Sequence, residues 1–111
     1  IEAHSFSAGI APRTLEAQVV QDADRLDALG AIGLARCIAV GTALGRPVYE
    51  AQDPFCRGRK PDDRGASVDH FYTKLLKLAG TMQTDAGRRE AERRTEFLRS
   101  FLAQLESEIG P

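Results

Sequence analysis

The sequence has no tryptophan, one methionine, two cysteines and two histidines among its 111 residues. The two cysteines, Cys37 and Cys56, have no metal-type spacing and are too few for a disulfide framework. No apolar run approaches the ~18 residues that span a bilayer. The formal net charge of −1 and the pI near 6.1 give no overall attraction to nucleic acid or to an anionic membrane. We therefore expect neither a membrane nor a nucleic-acid partner.

The chain also lacks an initiator methionine, and it does not begin with a signal peptide. Its first residues, Ile1-Glu2-Ala3-His4, contain no basic region followed by an apolar one. We therefore expect a cytoplasmic protein. We also expect residues 1–111 to be a single, partial domain, because Ile1 reads as the continuation of a longer sequence.

Two helices are predicted in the first part of the chain. Thr14 is a favourable N-cap, and the apolar spacing after it predicts a helix from about residue 15 to residue 29. Gly30 and Gly33 then weaken the pattern. They mark either a break before a second helix that runs to about Val40, or a point where helices pack closely. The sequence leaves both alternatives open.

A long loop is predicted from residue 44 to residue 66, where glycine, proline, aspartate and arginine replace the helical pattern. Such a long connection is uncommon in a small domain. It is either a flexible, solvated loop or a loop that contacts a substrate or partner. Cys56 lies beside Arg57 in this basic loop, so it is either an incidental cysteine or a thiol with a lowered pKa.

Two further helices are predicted in the second half. Ser67 and Thr84 are suitable N-caps for them. The apolar stripes that follow consist of Val68, Phe71, Leu75, Leu78 and Met82 in the third helix, and of Ala91, Thr95, Leu98, Leu102, Leu105 and Ile109 in the fourth. No alternating strand pattern is present, so the predicted fold class is all-α. The stripes ending in Met82 and Ile109 further predict a homodimer formed through the last two helices.

Three aspartates, Asp22, Asp24 and Asp27, interrupt an otherwise apolar segment from residue 19 to residue 36. A helix that is apolar nearly all round is usually buried, and a buried carboxylate needs a cation, a metal or hydrogen-bond donors. We therefore expect Asp24 and Asp27, one turn apart, to be buried and to have a partner. Asp22 is better suited to bond nearby backbone groups or Arg36.

Three blocks of the chain resemble consecutive blocks of one protein family. They are Ile1-x-x-His4-Ser5-Phe6-Ser7, the segment from Thr14 to Arg36 with the run Asp22-Ala-Asp24-Arg-Leu-Asp27-Ala-Leu-Gly, and His70-Phe-Tyr-x-Lys-Leu-Leu-x-Leu78. They are similar to the C-terminal half of the HD superfamily of metal-dependent phosphohydrolases, in particular its small stand-alone bacterial members. The resemblance covers nearly the whole chain outside residues 48–65, and it implies the C-terminal portion of an HD-domain-like helical bundle.

This resemblance implies a site and a reaction. Asp24 would be a catalytic metal ligand, and His4 would lie close to the metal and the substrate phosphate. Arg25 and Asp27 would not bind the metal themselves, but would lie beside Asp24 and orient its carboxylate. The cofactor would be a divalent metal ion, either Mn, Fe, Ni, Zn or Mg. The reaction would be hydrolysis of a small phosphorylated substrate, such as a nucleotide, by a metal-activated water.

The remaining family ligands, an upstream His and a His-Asp doublet, are not found in these 111 residues. One carboxylate cannot hold a catalytic ion alone, so the chain by itself is expected to be inactive. The alternative is a catalytically inactive helical interaction module that retains the HD fold. A His and a His-Asp doublet directly upstream in the encoded protein would exclude that alternative.

Overall fold

Helices form all of the regular structure in residues 14–110, the part of the chain that the computed structural model describes. The elements are α1 (Leu15–Leu26), α2 (Gly30–Ala43), α3 (Ser67–Thr73), a 3-10 helix (Leu75–Thr81) and α4 (Asp85–Ile109). The predicted all-α class is therefore confirmed.

The junction between α1 and α2 contains the break that its glycines suggested. The hydroxyl of Thr14 accepts a hydrogen bond from the Ala17 N–H at 3.1 Å and caps α1 as predicted. Gly30 has a φ of +70°, which favours glycine and allows the chain to bend by 59° between the helices. A Cβ at Gly33 would lie only 2.2 Å from the Ala28 carbonyl oxygen. The chain therefore breaks before Gly30, and the close contact at Gly33 is with the backbone of the connecting turn rather than with another helix.

The core lies between α3, the 3-10 helix and α4. Its buried members are Leu29, Val68, Phe71, Leu75, Leu78, Met82, Ala91, Leu98 and Leu102. The ring of Phe71 stacks on that of Phe101 with the ring centroids 5.8 Å apart. Most positions of the two predicted stripes therefore lie in the core together with Leu29, whereas Ile109 is exposed.

The third helix is shorter than its apolar stripe. The prediction that Ser67 is its N-cap is wrong, because Ser67 is the first residue of α3, its N-cap is Ala66, and no side chain caps it. At Lys74 the backbone adopts φ −140° and ψ −56°, and the chain continues as a 3-10 helix. A 3-10 helix has three residues per turn, so Leu75 and Leu78 remain on one side and both reach the core. Met82 is 4% exposed and Ile109 is 39% exposed, so of the two residues only Ile109 is available for contact with a second chain. Dimerisation stays a prediction.

The apolar faces of α1 and α2 are largely exposed, which corrects the expectation that this segment is buried. The residues that α2 buries are Gly30, Gly33 and Gly41. Large apolar side chains that remain exposed on or beside the two helices are Leu15, Val19, Val20, Ile32, Val40 and Leu44. No single described helix is long and apolar enough to cross a membrane; α1 and α2 meet that criterion only together, as a bent pair.

Candidate functional site

Asp24 and Asp27 lie on the exposed side of the first helix. Asp27 is the C-cap residue of α1, and its N–H donates to the Arg25 carbonyl. Within residues 14–110 the Asp24 carboxylate forms no ion pair and accepts no hydrogen bond from a side chain. The prediction that both acids are buried is wrong, because α1 packs through another face. Asp22 lies about 200° around the helix from Asp24, and it is Asp22 that is buried.

Asp22 anchors the beginning of α4. Its side chain is 2% exposed, and it accepts hydrogen bonds from the N–H groups of Gln83 and Thr84, each at 2.8 Å. It also accepts one from the Thr84 hydroxyl at 2.7 Å. That hydroxyl in turn accepts from the Gly87 N–H at 2.9 Å, which caps α4 as predicted. Asp22 is therefore a partner of backbone groups, although of groups far away in the sequence.

Arg25 reaches the same connection between the 3-10 helix and α4. Its guanidinium donates to the Thr81 carbonyl oxygen at 2.7 Å. Asp22 and Arg25 thus fix the backbone on both sides of Met82, which is itself buried in the core. Asp24 lies between them in the sequence, so its position on α1 is held by two contacts to the second half of the chain.

The described residues supply only part of a metal site. His4 lies outside them, because the structure describes residues 14–110. His70 is engaged elsewhere: its Nδ1 lies 3.1 Å from an Asp63 carboxylate oxygen. In the described range no group of three or more His, Cys, Asp or Glu side chains is arranged to hold a metal ion. The free carboxylate of Asp24 fits the role of one ligand, but the other ligands must come from residues outside this range.

A second polar centre, which the sequence analysis missed, holds the long loop against α3. The Asp69 side chain is fully buried and accepts hydrogen bonds from the Arg59 guanidinium at 2.6 and 2.9 Å. It also accepts from the Asp62 N–H at 2.8 Å and from the Cys56 thiol at 3.5 Å. Arg59 additionally donates to the Asp53 carbonyl at 3.0 Å. The loop is therefore pinned at several points. The sequence did contain a signal for this pair. Asp69 lies between the apolar stripe positions Val68 and Phe71, and a basic loop precedes the helix.

The same centre determines the protonation of Cys56. Burial, followed by the charge of Asp69, raises the pKa of the Cys56 thiol to about 11. The nearby Arg59 lowers it by less. The alternative of a thiol with a lowered pKa is therefore wrong, because burial and the Asp69 carboxylate beside the sulfur together raise the pKa more than Arg59 lowers it. At neutral pH Cys56 is a protonated thiol and a poor nucleophile.

Acid should destabilise the protein through Asp69. Burial raises the pKa of this carboxyl, but Arg59 and the Asp62 N–H lower it more, so its folded-state pKa lies below 3.8. Because the unfolded chain takes up the proton first, the stabilisation is complete above about pH 4 and is lost as the pH falls through the folded-state pKa. Urea unfolding between about pH 2 and pH 6 should show this loss. Asp69→Asn should have a shallower pH dependence, and an unchanged slope in that variant would contradict the prediction.

No protein-family model matches the sequence of this chain. YpgQ, an uncharacterized protein of Bacillus subtilis (strain 168), is 40% identical over 98 residues, which are 88% of this chain and 42% of YpgQ. The chain therefore spans less than half the length of this curated relative.

Solved structures show the same relationship. The crystal structure of YpgQ in complex with ADP has a TM-score of 0.73 and 41% identity, over 89% of this chain and 46% of that one. An HD-superfamily hydrolase from Bacillus thuringiensis has a TM-score of 0.73 and 46% identity, over 86% of this chain and 46% of that one. A protein from Lactobacillus plantarum has a TM-score of 0.76 and 39% identity, over 96% of this chain and 55% of that one. With its all-helical fold and this level of identity, the chain belongs to the HD superfamily.

Proposed function

We propose that this chain is part of a metal-dependent phosphohydrolase that cleaves a small phosphate ester. The observation that carries the proposal is the exposed carboxylate of Asp24, which has no side-chain partner within residues 14–110, on a helix that Asp22 and Arg25 fasten to the rest of the domain. A carboxylate without an internal partner, on a rigid support, is suited to bind a cation. The 46% identity to an HD-superfamily hydrolase supports the same reaction class.

The surroundings of Asp24 indicate how its site is completed. Val20, one turn before it, is 43% exposed, and Ile32 on α2 is 61% exposed. With Leu15, Val19, Val40 and Leu44 they make six large apolar side chains exposed on or beside α1 and α2, more than the single exposed residues of an ordinary surface. We infer that the portion of an HD domain that the relatives have beyond their match to this chain covers α1 and α2. That portion would bring the missing His and His-Asp ligands to Asp24.

The roles of the chain's own residues follow from this arrangement. Asp24 would hold a divalent ion, of the Mn, Fe, Ni, Zn or Mg type, whose chemistry is to activate a water and to stabilise charge on the phosphoryl oxygens. Arg25, through its bond to the Thr81 carbonyl, would keep α1 in position, and Asp27 would support the ligand from the next turn. His4 would contact the substrate phosphate. A nucleotide is a reasonable substrate class, since YpgQ was crystallised in complex with ADP.

Metal analysis of the full-length gene product tests this proposal. We expect about one divalent ion per chain and hydrolysis of a nucleotide or phosphomonoester. Asp24→Ala should lose the bound ion and at least about 100-fold in kcat/KM, since loss of a ligand exceeds the usual effect of outer groups. Asp85→Ala is the matched control, because its side chain is 86% exposed and pairs only with Arg88 in the described range. An Asp24→Ala protein that keeps its metal and its activity would refute the proposal.

The second candidate is an inactive helical interaction module. It is favoured by the absence of a metal cluster from residues 14–110 together with the exposed apolar faces of α1 and α2. This candidate predicts that the wild-type protein binds no stoichiometric metal ion and hydrolyses no phosphate ester. The same metal analysis therefore separates the two candidates.

A further inference from the structure

Asp24 lies in the last turn of α1, where a helix is least constrained by its own hydrogen bonds. The last carbonyl groups of a helix have no partner further along it, and α1 ends at Leu26, two residues after Asp24. The Leu26 carbonyl accepts from the Leu29 N–H at 3.0 Å as the chain turns towards α2. The direction of the Asp24 carboxylate therefore depends on how firmly this turn is held.

Arg94 of α4 supplies a second donor to the Leu26 carbonyl. Its Nη1 donates to that oxygen at 2.8 Å, from a position 68 residues later in the sequence. A cation at the C-terminal end of a helix is also favoured by the helix dipole. The contact is partly shielded from water, since 28% of the Arg94 side chain is exposed. Arg94 therefore caps the end of α1 from another helix.

The direction of the Arg94 guanidinium is itself fixed by its surroundings. Its Nε donates at 2.7 Å to the carboxylate of Glu90, one turn earlier on α4. The side chain passes Gly30, where an added Cβ would lie 3.2 Å from the Arg94 Cγ. Because the guanidinium is planar and rigid, two acceptors on Nε and Nη1 define its orientation. Glu90, Arg94 and the Leu26 carbonyl thus form a continuous polar connection from α4 to the end of α1.

We propose that Arg94 is a positioning residue for Asp24. The inference rests on the proposed function, because that function makes Asp24 a metal ligand. Asp22 and Arg25 hold α1 through their own side chains, whereas Arg94 holds the backbone of the last turn. Without Arg94 this turn loses its attachment to α4, and the Asp24 carboxylate takes up a wider range of directions. A ligand that is held less precisely binds a metal ion more weakly.

Titration of Co²⁺ into the chelator-treated full-length protein tests the proposal, because the visible absorption of bound Co²⁺ reports both its affinity and its coordination. Arg94→Met should raise the Kd for Co²⁺ about tenfold, the lower end of the usual range for groups that orient a ligand. Arg94→Lys should restore part of the affinity, since an ammonium can donate to the Leu26 carbonyl but has no planar fork for Glu90 as well.

Arg93→Met is the matched control for these variants. Arg93 is the neighbouring arginine on α4 and also pairs with Glu90, but within residues 14–110 it donates no hydrogen bond to α1. The Kd for Co²⁺ should therefore stay at the wild-type value. If Arg93→Met weakened the binding as much as Arg94→Met, the effect would come from the charge of α4 and the inference would be overturned.

The affinity separates positioning from a general loss of stability. It is measured at a temperature where circular dichroism shows every variant to be folded. A purely structural role of Arg94 would lower the Tm and leave the Kd for Co²⁺ unchanged. That result would overturn the inference and leave the metal site of the proposed function intact. A wild-type protein that binds no Co²⁺ would instead refute the proposed function, and the inference with it.

Discussion

Replacing Asp69 by alanine is expected to lower the free energy of unfolding by about 3 kcal/mol and to release the loop of residues 44–66. The carboxylate is fully buried and accepts hydrogen bonds from Arg59, from the Asp62 N–H and from the Cys56 thiol. Alanine removes the acceptor of the Asp62 N–H and the Cys56 thiol, and it leaves Arg59 with the Asp53 carbonyl alone. The released loop, rather than the helical core, should show the largest structural change, because all three donors belong to it.

Urea denaturation measures the loss of stability, and hydrogen exchange measures the release of the loop. Arg59 is only partly buried, with 28% of its side chain exposed, so water can solvate part of the stranded cation and limit the cost. Asp69→Asn should be intermediate, since it keeps one acceptor oxygen but turns an amide towards the guanidinium. Asp85→Ala, which changes an exposed acid, should cost a few tenths of a kcal/mol. Equal stability of Asp69→Ala and wild type would show that Asp69 does not hold the loop.

Asp22→Ala should have a comparable effect at the other end of the domain, again about 3 kcal/mol. The substitution removes the acceptor for the Gln83 N–H, the Thr84 N–H and the Thr84 hydroxyl. The first turn of α4 would then lose both its anchor to α1 and the support of its capping residue. Thermal unfolding monitored by circular dichroism measures this loss. Asp22→Asn should lose less, because its amide oxygen can still accept one of the three bonds.

A pair of glycine substitutions tests the same contact by steric means. A Cβ at Gly87 would lie 2.3 Å from an Asp22 carboxylate oxygen and 2.9 Å from the Thr84 hydroxyl, so Gly87→Ala must displace the anchor. It should destabilise the protein by about 1–3 kcal/mol, although alanine is the better helix former. At Gly80 nothing lies within 4 Å of an added Cβ, and Gly80→Ala should be neutral or stabilising. Equal free energies of unfolding for Gly87→Ala and Gly80→Ala would contradict the close contact between Asp22 and Gly87.

The helices of the second half were predictable because their signals are local. The three- and four-residue spacing of Phe71, Leu78 and Leu98 selects one face of a helix, and that face is buried. Thr84 caps α4 through a hydrogen bond within its own first turn. The resemblance of the aspartate run to the HD superfamily was equally local, and the fold and family are confirmed. The metal and the roles of Asp24 and His4 stay predictions.

What the sequence by itself determined is therefore the helical class, the Thr14 and Thr84 caps and the core face of α4. Only the tertiary structure decided which acids are buried. Three aspartates interrupt one apolar segment, and nothing local distinguishes Asp22, which accepts from backbone groups 61 and 62 residues later, from Asp24, which is exposed on the opposite side of α1. Likewise, Asp69 and Arg59 become partners only when the loop folds back onto α3. The physical reason is that periodicity fixes how side chains are arranged around a helix, whereas the partner of a buried charge depends on which face packs against the rest of the chain.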